Sequence, residues 1–327
     1  MPLESKPRFD LFYRGTSNHS EVTDFILVGF RVRPELHLLL FLLFLLVYAM
    51  ILLGNVGMMA IIMTDPQLNT PMYFFLGNLS FIDLFYSSVI APKAMVNFWS
   101  QSKSISFAGC VTQLFLFALF IVTEGFLLAA MAYDRFIAIC NPLLYSVQMS
   151  ARLCAQLVAG SYFCGCISSV VVTSMTFTLS FCASRSNFID HFTCDYFPLL
   201  QLSCSDTKFL EIMGFSCAVF TLMITLALIF LSYIYIISTI VRIPSTSQRT
   251  KAFSTCSSHM IVISISYGSC IFMYIKPSAN ERVSLSKGVA VLNISVAPML
   301  NPFIYSLRNQ QVKRAFTDMA RKKNIIL

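Results

Sequence analysis

Three acids and one base fall where water is scarce. Glu124 lies in Thr123-Glu-Gly-Phe and Asp83 lies inside another apolar run, while Asp134-Arg135 closes the run that holds Glu124. An acid inside a membrane is costly unless it is paired, protonated or shared with a cation. Glu124 precedes Arg135 by eleven positions, which is about 16 Å along a helix. That spacing puts Glu124 near mid-membrane and Asp83 at similar depth on a neighbouring helix, with Asn55 and Asn301 as expected neighbours. Two readings of the acids stay open: a hydrogen-bonded structural cluster with at least one proton, or a cation site. Asp134-Arg135 alone reads equally well as an interfacial ion pair kept wet by snorkelling.

Catalytic chemistry has no such foothold. The chain carries no Gly-rich phosphate loop, no nucleophile elbow and no His-Glu-x-x-His pattern. No enzyme activity is expected. Of the eleven cysteines, Cys110, Cys182, Cys194 and Cys204 are expected on the oxidising side of the membrane. Four cysteines allow three pairings, and spacing does not choose among them.

The elements that position these groups are membrane helices. The chain is 57% hydrophobic and 12% charged, against roughly 25% charged for a soluble domain. Seven apolar runs reach the length of about 20 residues that spans a bilayer: about 36–63, 72–97, 106–140, 152–176, 209–241, 250–275 and 285–307. A closed barrel would show short alternating strands instead. The fold class is an all-α membrane protein, a seven-transmembrane helix bundle. A short amphipathic helix is expected after Arg308, with Val312, Ala315, Phe316 and Met319 on the lipid face.

The net charge of +8 gives the orientation. Arg308, Lys313, Arg314, Arg321, Lys322 and Lys323 crowd the C-terminal tail against Asp318, which marks that end as cytoplasmic. Beside a membrane helix this basic run reads as a lipid-facing signal and not as a nucleic-acid patch. An odd number of spans then places the N-terminus outside, where Asn18-His-Ser is a glycosylation acceptor. The expected layout is an extracellular, mostly disordered tail over 1–35, the bundle over 36–307 and a cytoplasmic tail over 308–327. The first 35 residues lack the apolar core of a cleavable signal.

Four stretches match one family in its own order: Pro71-Met-Tyr-Phe-Phe-Leu76, Met131-Ala-Tyr-Asp-Arg through Ala-Ile-Cys-Asn-Pro142, Lys251-Ala-Phe-Ser-Thr-Cys-Ser-Ser-His259 and Pro298-Met-Leu-Asn-Pro-Phe-Ile-Tyr-Ser-Leu-Arg-Asn309. From about Thr23 to Arg308 the chain resembles odorant receptors of the rhodopsin-like, seven-helix class, in their larger, tetrapod-type group. Departures are Phe136 for the usual Tyr, Gly77 for Ser, Ser266 before Tyr267 where Phe is common, and a longer N-terminal tail.

The resemblance implies a plasma-membrane receptor that binds a small volatile odorant and activates a stimulatory heterotrimeric G protein, raising cAMP. It implies a ligand site made of Phe117, Ala118, Ile121, Val122, Cys217, Thr221, Tyr267, Ile271 and Tyr274, with a tyrosine or threonine hydroxyl donating to the odorant. It implies a G-protein switch of Asp134, Arg135, Tyr233, Asn301 and Tyr305, with Asp134 holding Arg135 at rest. Disulfides are implied between Cys110 and Cys194 and between Cys182 and Cys204. The pattern His191-Phe-Thr-Cys-Asp195, read in this family as a metal motif, is better explained by Cys194 in a disulfide. No cofactor is expected beyond a sodium ion that the resemblance places between Asp83 and Glu124. An opsin is excluded by Ser295, where a retinal-binding lysine would stand. A transporter would show repeated halves, and a channel a polar pore stripe.

Overall fold

The structure, a computed structural model, describes residues 24–30, 33–100, 102–177, 179–181, 187–275, 287–308, 312, 314 and 315. Seven long helices follow one another among them. The first six are Pro34–Thr64, Pro71–Trp99, Phe107–Cys140, Ala151–Phe177, Lys208–Arg242 and Thr246–Ile275. The seventh is described from Lys287, is π-helical over Leu292–Val296 and continues as Ala297–Arg308. Prolines set several starts: Pro34 and Pro71 occupy the first turn, where a missing N–H costs nothing. The third helix is capped by the Ser106 side chain, which accepts from the Gly109 amide at 3.2 Å.

Six of the seven are long and apolar enough to cross a membrane. The sixth helix opens on polar turns, Thr246-Ser-Gln-Arg-Thr-Lys251, and carries its apolar stretch from Met260 onward. Side chains such as Leu46, Leu53 and Met63, exposed by 58%, 76% and 85%, would be an aggregation hazard in water. Facing lipid they are the solvent-matched surface of the first helix, which is apolar all round. The third helix runs through the middle of the bundle, and its Leu127, Leu128 and Ala132 are fully enclosed. Gly165 lets the fourth helix lie close against it: a Cβ there would come 2.7 Å from the Leu119 carbonyl oxygen.

A polar seam joins helices one, two and seven, and proline explains it. In a regular helix the carbonyl of residue i accepts from the amide of i+4. Pro298 and Pro302 have no amide hydrogen, so the carbonyls of Ile294 and Pro298 lose their internal partners. Ser87 donates to the Ile294 carbonyl at 2.8 Å, and Asn55 Nδ2 donates to the Pro298 carbonyl at 3.0 Å. Asn301 completes the seam with a 2.8 Å bond to Asp83 Oδ2. All four side chains, Asn55, Asp83, Ser87 and Asn301, are buried.

The outer end carries a lid. Strand β1, Asp24–Leu27, lies between β2, Ser104–Ser106, and β3, Phe188–Ile189. It pairs antiparallel with β2 and parallel with β3. This strand was not foreseen in the tail over 1–35, of which residues 1–23 lie outside the described residues. Phe25 and Leu27 are buried beneath the lid, and the extended Asp24-Phe-Ile-Leu run suits a half-buried strand. Lys287 clamps the lid to the seventh helix, donating to the Gly29 carbonyl at 2.9 Å and to Asp190 at 2.7 Å. Cys110 and Cys194 are disulfide-bonded, and Gln113 accepts from the Cys194 amide at 2.9 Å.

Candidate functional site

Beneath the lid, a cavity of about 130 Å³ opens between helices three, five, six and seven. One water needs about 10–15 Å³ by the same measure, and an engineered apolar cavity of about 150 Å³ holds benzene. The space therefore suits a small organic molecule. Ile121, Val122, Ala218 and Leu222 form its apolar wall, and Glu124, Thr225, Ser266, Tyr267 and Asn293 its polar one.

The polar groups are already engaged with one another. Ser266 on helix six donates to Glu124 Oε1 at 3.1 Å, and the Tyr267 hydroxyl donates to the Gly125 carbonyl at 3.3 Å. Thr225 donates back to the Thr221 carbonyl at 2.9 Å. The Asn293 side-chain oxygen accepts from Ser269. These bonds run from helix six to helix three and from helix six to helix seven, so the cavity wall is also where helix six is held.

At the inner end, Asp134 is buried and accepts from the Tyr145 hydroxyl at 2.8 Å. Tyr145 opens the short helix Tyr145–Gln148. Burial and the Asp134 charge push its hydroxyl well above the ordinary tyrosine range, so it stays a donor. Among the described residues no ion pair joins Asp134 to Arg135, which corrects the expected resting pair. The reason is helical geometry: residues i and i+1 point about 100° apart and do not face each other. The charge of Arg135 still acts on Asp134, and it also reaches Tyr233, Cys256, His259 and Tyr305 on helices five, six and seven. Tyr233 and His259 share a 2.9 Å hydrogen bond, while the Tyr305 hydroxyl is buried with no partner.

A seven-helix bundle with a ligand-sized cavity and a charged inner end is one observation; the kinship of the chain is another. A profile of the olfactory receptor family matches residues 44–323. Olfactory receptor 9K2 of Homo sapiens is 67% identical over 99% of this chain and 100% of its own length. The chain belongs to the olfactory receptor family. Olfactory receptors 6C1 and 6C75, also of Homo sapiens, are 61% and 55% identical over 93% of this chain and 97% of their own lengths. The protein is thus a multi-pass membrane receptor and not an enzyme.

Of the residues expected at the receptor's ligand site, Ile121, Val122, Thr221 and Tyr267 line the cavity. Phe117, Ala118, Cys217 and Ile271 do not, and the side chain of Tyr274 lies outside the described residues. The cavity sits about one turn deeper than expected. Phe117 packs instead against Tyr86, with ring centroids 5.5 Å apart. Tyr86, Thr225, Ser266, Cys270 and Asn293 were missed as ligand contacts, as were the apolar lining residues Gly125, Leu128, Ala218, Leu222 and Ala297. Glu124 was expected only as a cation ligand and also lines this cavity. The i, i+1, i+4 spacing of Ser266, Tyr267 and Cys270 on one helix was the available signal. Cys204 is disulfide-bonded, while Cys182, Asn18 and most of the expected C-terminal amphipathic helix lie outside the described residues.

Proposed function

We propose that this receptor takes a small volatile odorant into the cavity and in response activates a stimulatory heterotrimeric G protein, raising cAMP. It works at the plasma membrane, with the tail over 1–35 outside and the tail over 308–327 in the cytoplasm. The observation that carries the reading is the cavity whose wall is made by the helix six contacts themselves. The basic C-terminal residues support the orientation.

Helix six connects the two ends. Tyr267 and His259 are eight residues apart, about 12 Å along the helix. The first is bonded to helix three, and the second is bonded to helix five beside Arg135. The Tyr267 bond is neutral and worth roughly 0.5–1.5 kcal/mol net. A ligand that replaces it favours the state in which helix six is free to move, in proportion to its differential affinity for the two states. Movement of His259 and Tyr233 then changes what Arg135 meets, and Arg135 turns to the G protein. Nucleotide exchange on a purified stimulatory G protein, with receptor in lipid vesicles and an odorant panel, tests this. Arg135→Ala is expected to abolish exchange and leave odorant binding in place. Normal exchange by that variant would overturn the mechanism.

Asp83 and Glu124 are further proposed to share a sodium ion in the resting receptor. The residues fit such an ion: the two carboxylates feel each other's charge, and Asn55 Oδ1 is buried without a partner. Oxygen donors of this kind suit a hard cation. Replacing sodium with a bulky organic cation should change the agonist response, and Asp83→Asn should remove that difference. No sodium effect on the unmodified receptor would leave the acids as a protonated, hydrogen-bonded cluster.

A further inference from the structure

Resting on the reading of the cavity as the odorant site, we infer that its ligand carries a hydroxyl group, which donates to Glu124 and accepts from Tyr86. The hydroxyls of Ser266, Tyr267 and Thr225 have each spent their single hydrogen on Glu124, the Gly125 carbonyl and the Thr221 carbonyl. A hydroxyl has one hydrogen to give and two lone pairs to receive with. These three groups therefore offer the ligand acceptors only. In its ionised form Glu124 adds more acceptance, because a carboxylate has about four lone-pair sites and Ser266 fills one. The polar wall therefore favours a ligand that donates.

Two donors are left over, the Asn293 side-chain amide, whose oxygen already accepts from Ser269, and the Tyr86 hydroxyl. Tyr86 lines the same cavity, and its hydroxyl is buried with no hydrogen-bond partner. It is near enough to Glu124 to feel its charge. An unpaired buried hydroxyl is costly, and a ligand atom that accepts from it would remove that cost. An alcohol or phenol oxygen does both jobs at once. An ether or ketone could serve Tyr86 but not Glu124. An ammonium could serve Glu124 but has no lone pair for Tyr86. The expectation drawn from sequence, that a wall hydroxyl on helix five or six donates to the odorant, is replaced by this one.

The test uses matched compounds: cyclohexanol, methoxycyclohexane, cyclohexanone, cyclohexylamine and cyclohexane, repeated on the n-hexyl and phenylethyl skeletons. Receptor at the cell surface is quantified by antibody, and cAMP is read as a dose–response curve. The alcohol is expected to be at least about tenfold more potent than its ether and ketone, since a hydrogen bond to a charged group is at stake. Tyr86→Phe is expected to weaken the alcohol several-fold and leave the amine unmoved. Glu124→Gln gives the wall an N–H donor and should reverse the order, favouring the ketone. Should Glu124→Gln fail to reach the surface, the unmodified receptor and Tyr86→Phe still decide. Equal potency of alcohol and ether, a stronger amine insensitive to Tyr86→Phe, or responses to other odorants with none to any hydroxyl compound would each overturn the inference. Silence toward every odorant by receptor present at the surface would instead overturn the odorant reading beneath it.

Discussion

The seam between helices one, two and seven and the wall between helices three, five and six are both polar, but for opposite reasons. In the seam, Asn55 and Ser87 make good backbone bonds that Pro302 and Pro298 took away. Those bonds repair a defect that would otherwise remain buried, and losing one leaves a carbonyl stranded. Across the cavity, Ser266 and Tyr267 bond to groups that a ligand could serve equally well. Those bonds hold helix six provisionally. A receptor of this build has one side that must not move and one that can exchange its partners.

The largest expected effect comes from breaking the seam. Asn55→Ala should lower stability by about 1–3 kcal/mol, the cost of an unsatisfied buried carbonyl, read as a drop in thermal midpoint in detergent. Pro302→Ala returns an amide to the Pro298 carbonyl. The double variant should therefore recover most of the loss, and simple additivity of the two would show that the bond does not act as described. Next comes the cavity side. Tyr267→Phe should cost only about 0.5–1.5 kcal/mol but raise basal cAMP, because it releases helix six. A variant with lowered stability and unchanged basal signalling would remove the contrast between the two sides.

At the inner mouth, Tyr145→Phe should leave Asp134 without its 2.8 Å donor. Loosening of the segment from Pro142 to Gln148, seen as faster hydrogen exchange, is the expected result. Asp134→Asn should act in the same place. A rise in exchange around Arg135 alone, with none in that segment, would restore the simple ion-pair picture.

The smallest effect is a pH dependence of the lid. Burial lowers the pKa of His191 below the usual imidazole value; Asp195 opposes this, Lys287 adds to it, and Asp190 again opposes it. A lowered histidine favours the neutral ring in the folded state. Its contribution is whole above the unfolded value of about 6.5 and is lost as pH falls below it. Exchange at the amides of Ile26, Val28 and Gly29, corrected for intrinsic rate, should accelerate between roughly pH 7.5 and 5.5. His191→Gln should flatten that slope.

How much of this could be read in the letters depends on distance along the chain. The helices were legible because hydropathy is local, and their ends fell near Pro34, Pro71 and Pro142. The seam was half legible: Asn55, Asp83 and Asn301 were placed together, but Ser87 was not, although Pro298 announces that the Ile294 carbonyl needs a donor. The depth of the cavity was not legible. It depends on Phe117 meeting Tyr86 across two helices, which no local pattern encodes. Asp134-Arg135 misled because adjacency in sequence looks like contact, whereas a helix turns the two apart. The strand at Asp24–Leu27 was hidden in a polar stretch because its partners lie in two remote loops.

That strand has a consequence for how the chain is made. It is synthesised first, yet its neighbours at Ser104–Ser106 and Phe188–Ile189 emerge only after two and four further helices. The helices can associate as they enter the bilayer, but the outer sheet must wait. Until β3 arrives, β1 holds at most one neighbour and leaves an edge of unpaired amides and carbonyls. The sheet can thus close only once four helices have been made, and a nascent chain halted before residue 188 displays that edge as the mark of an unfinished receptor.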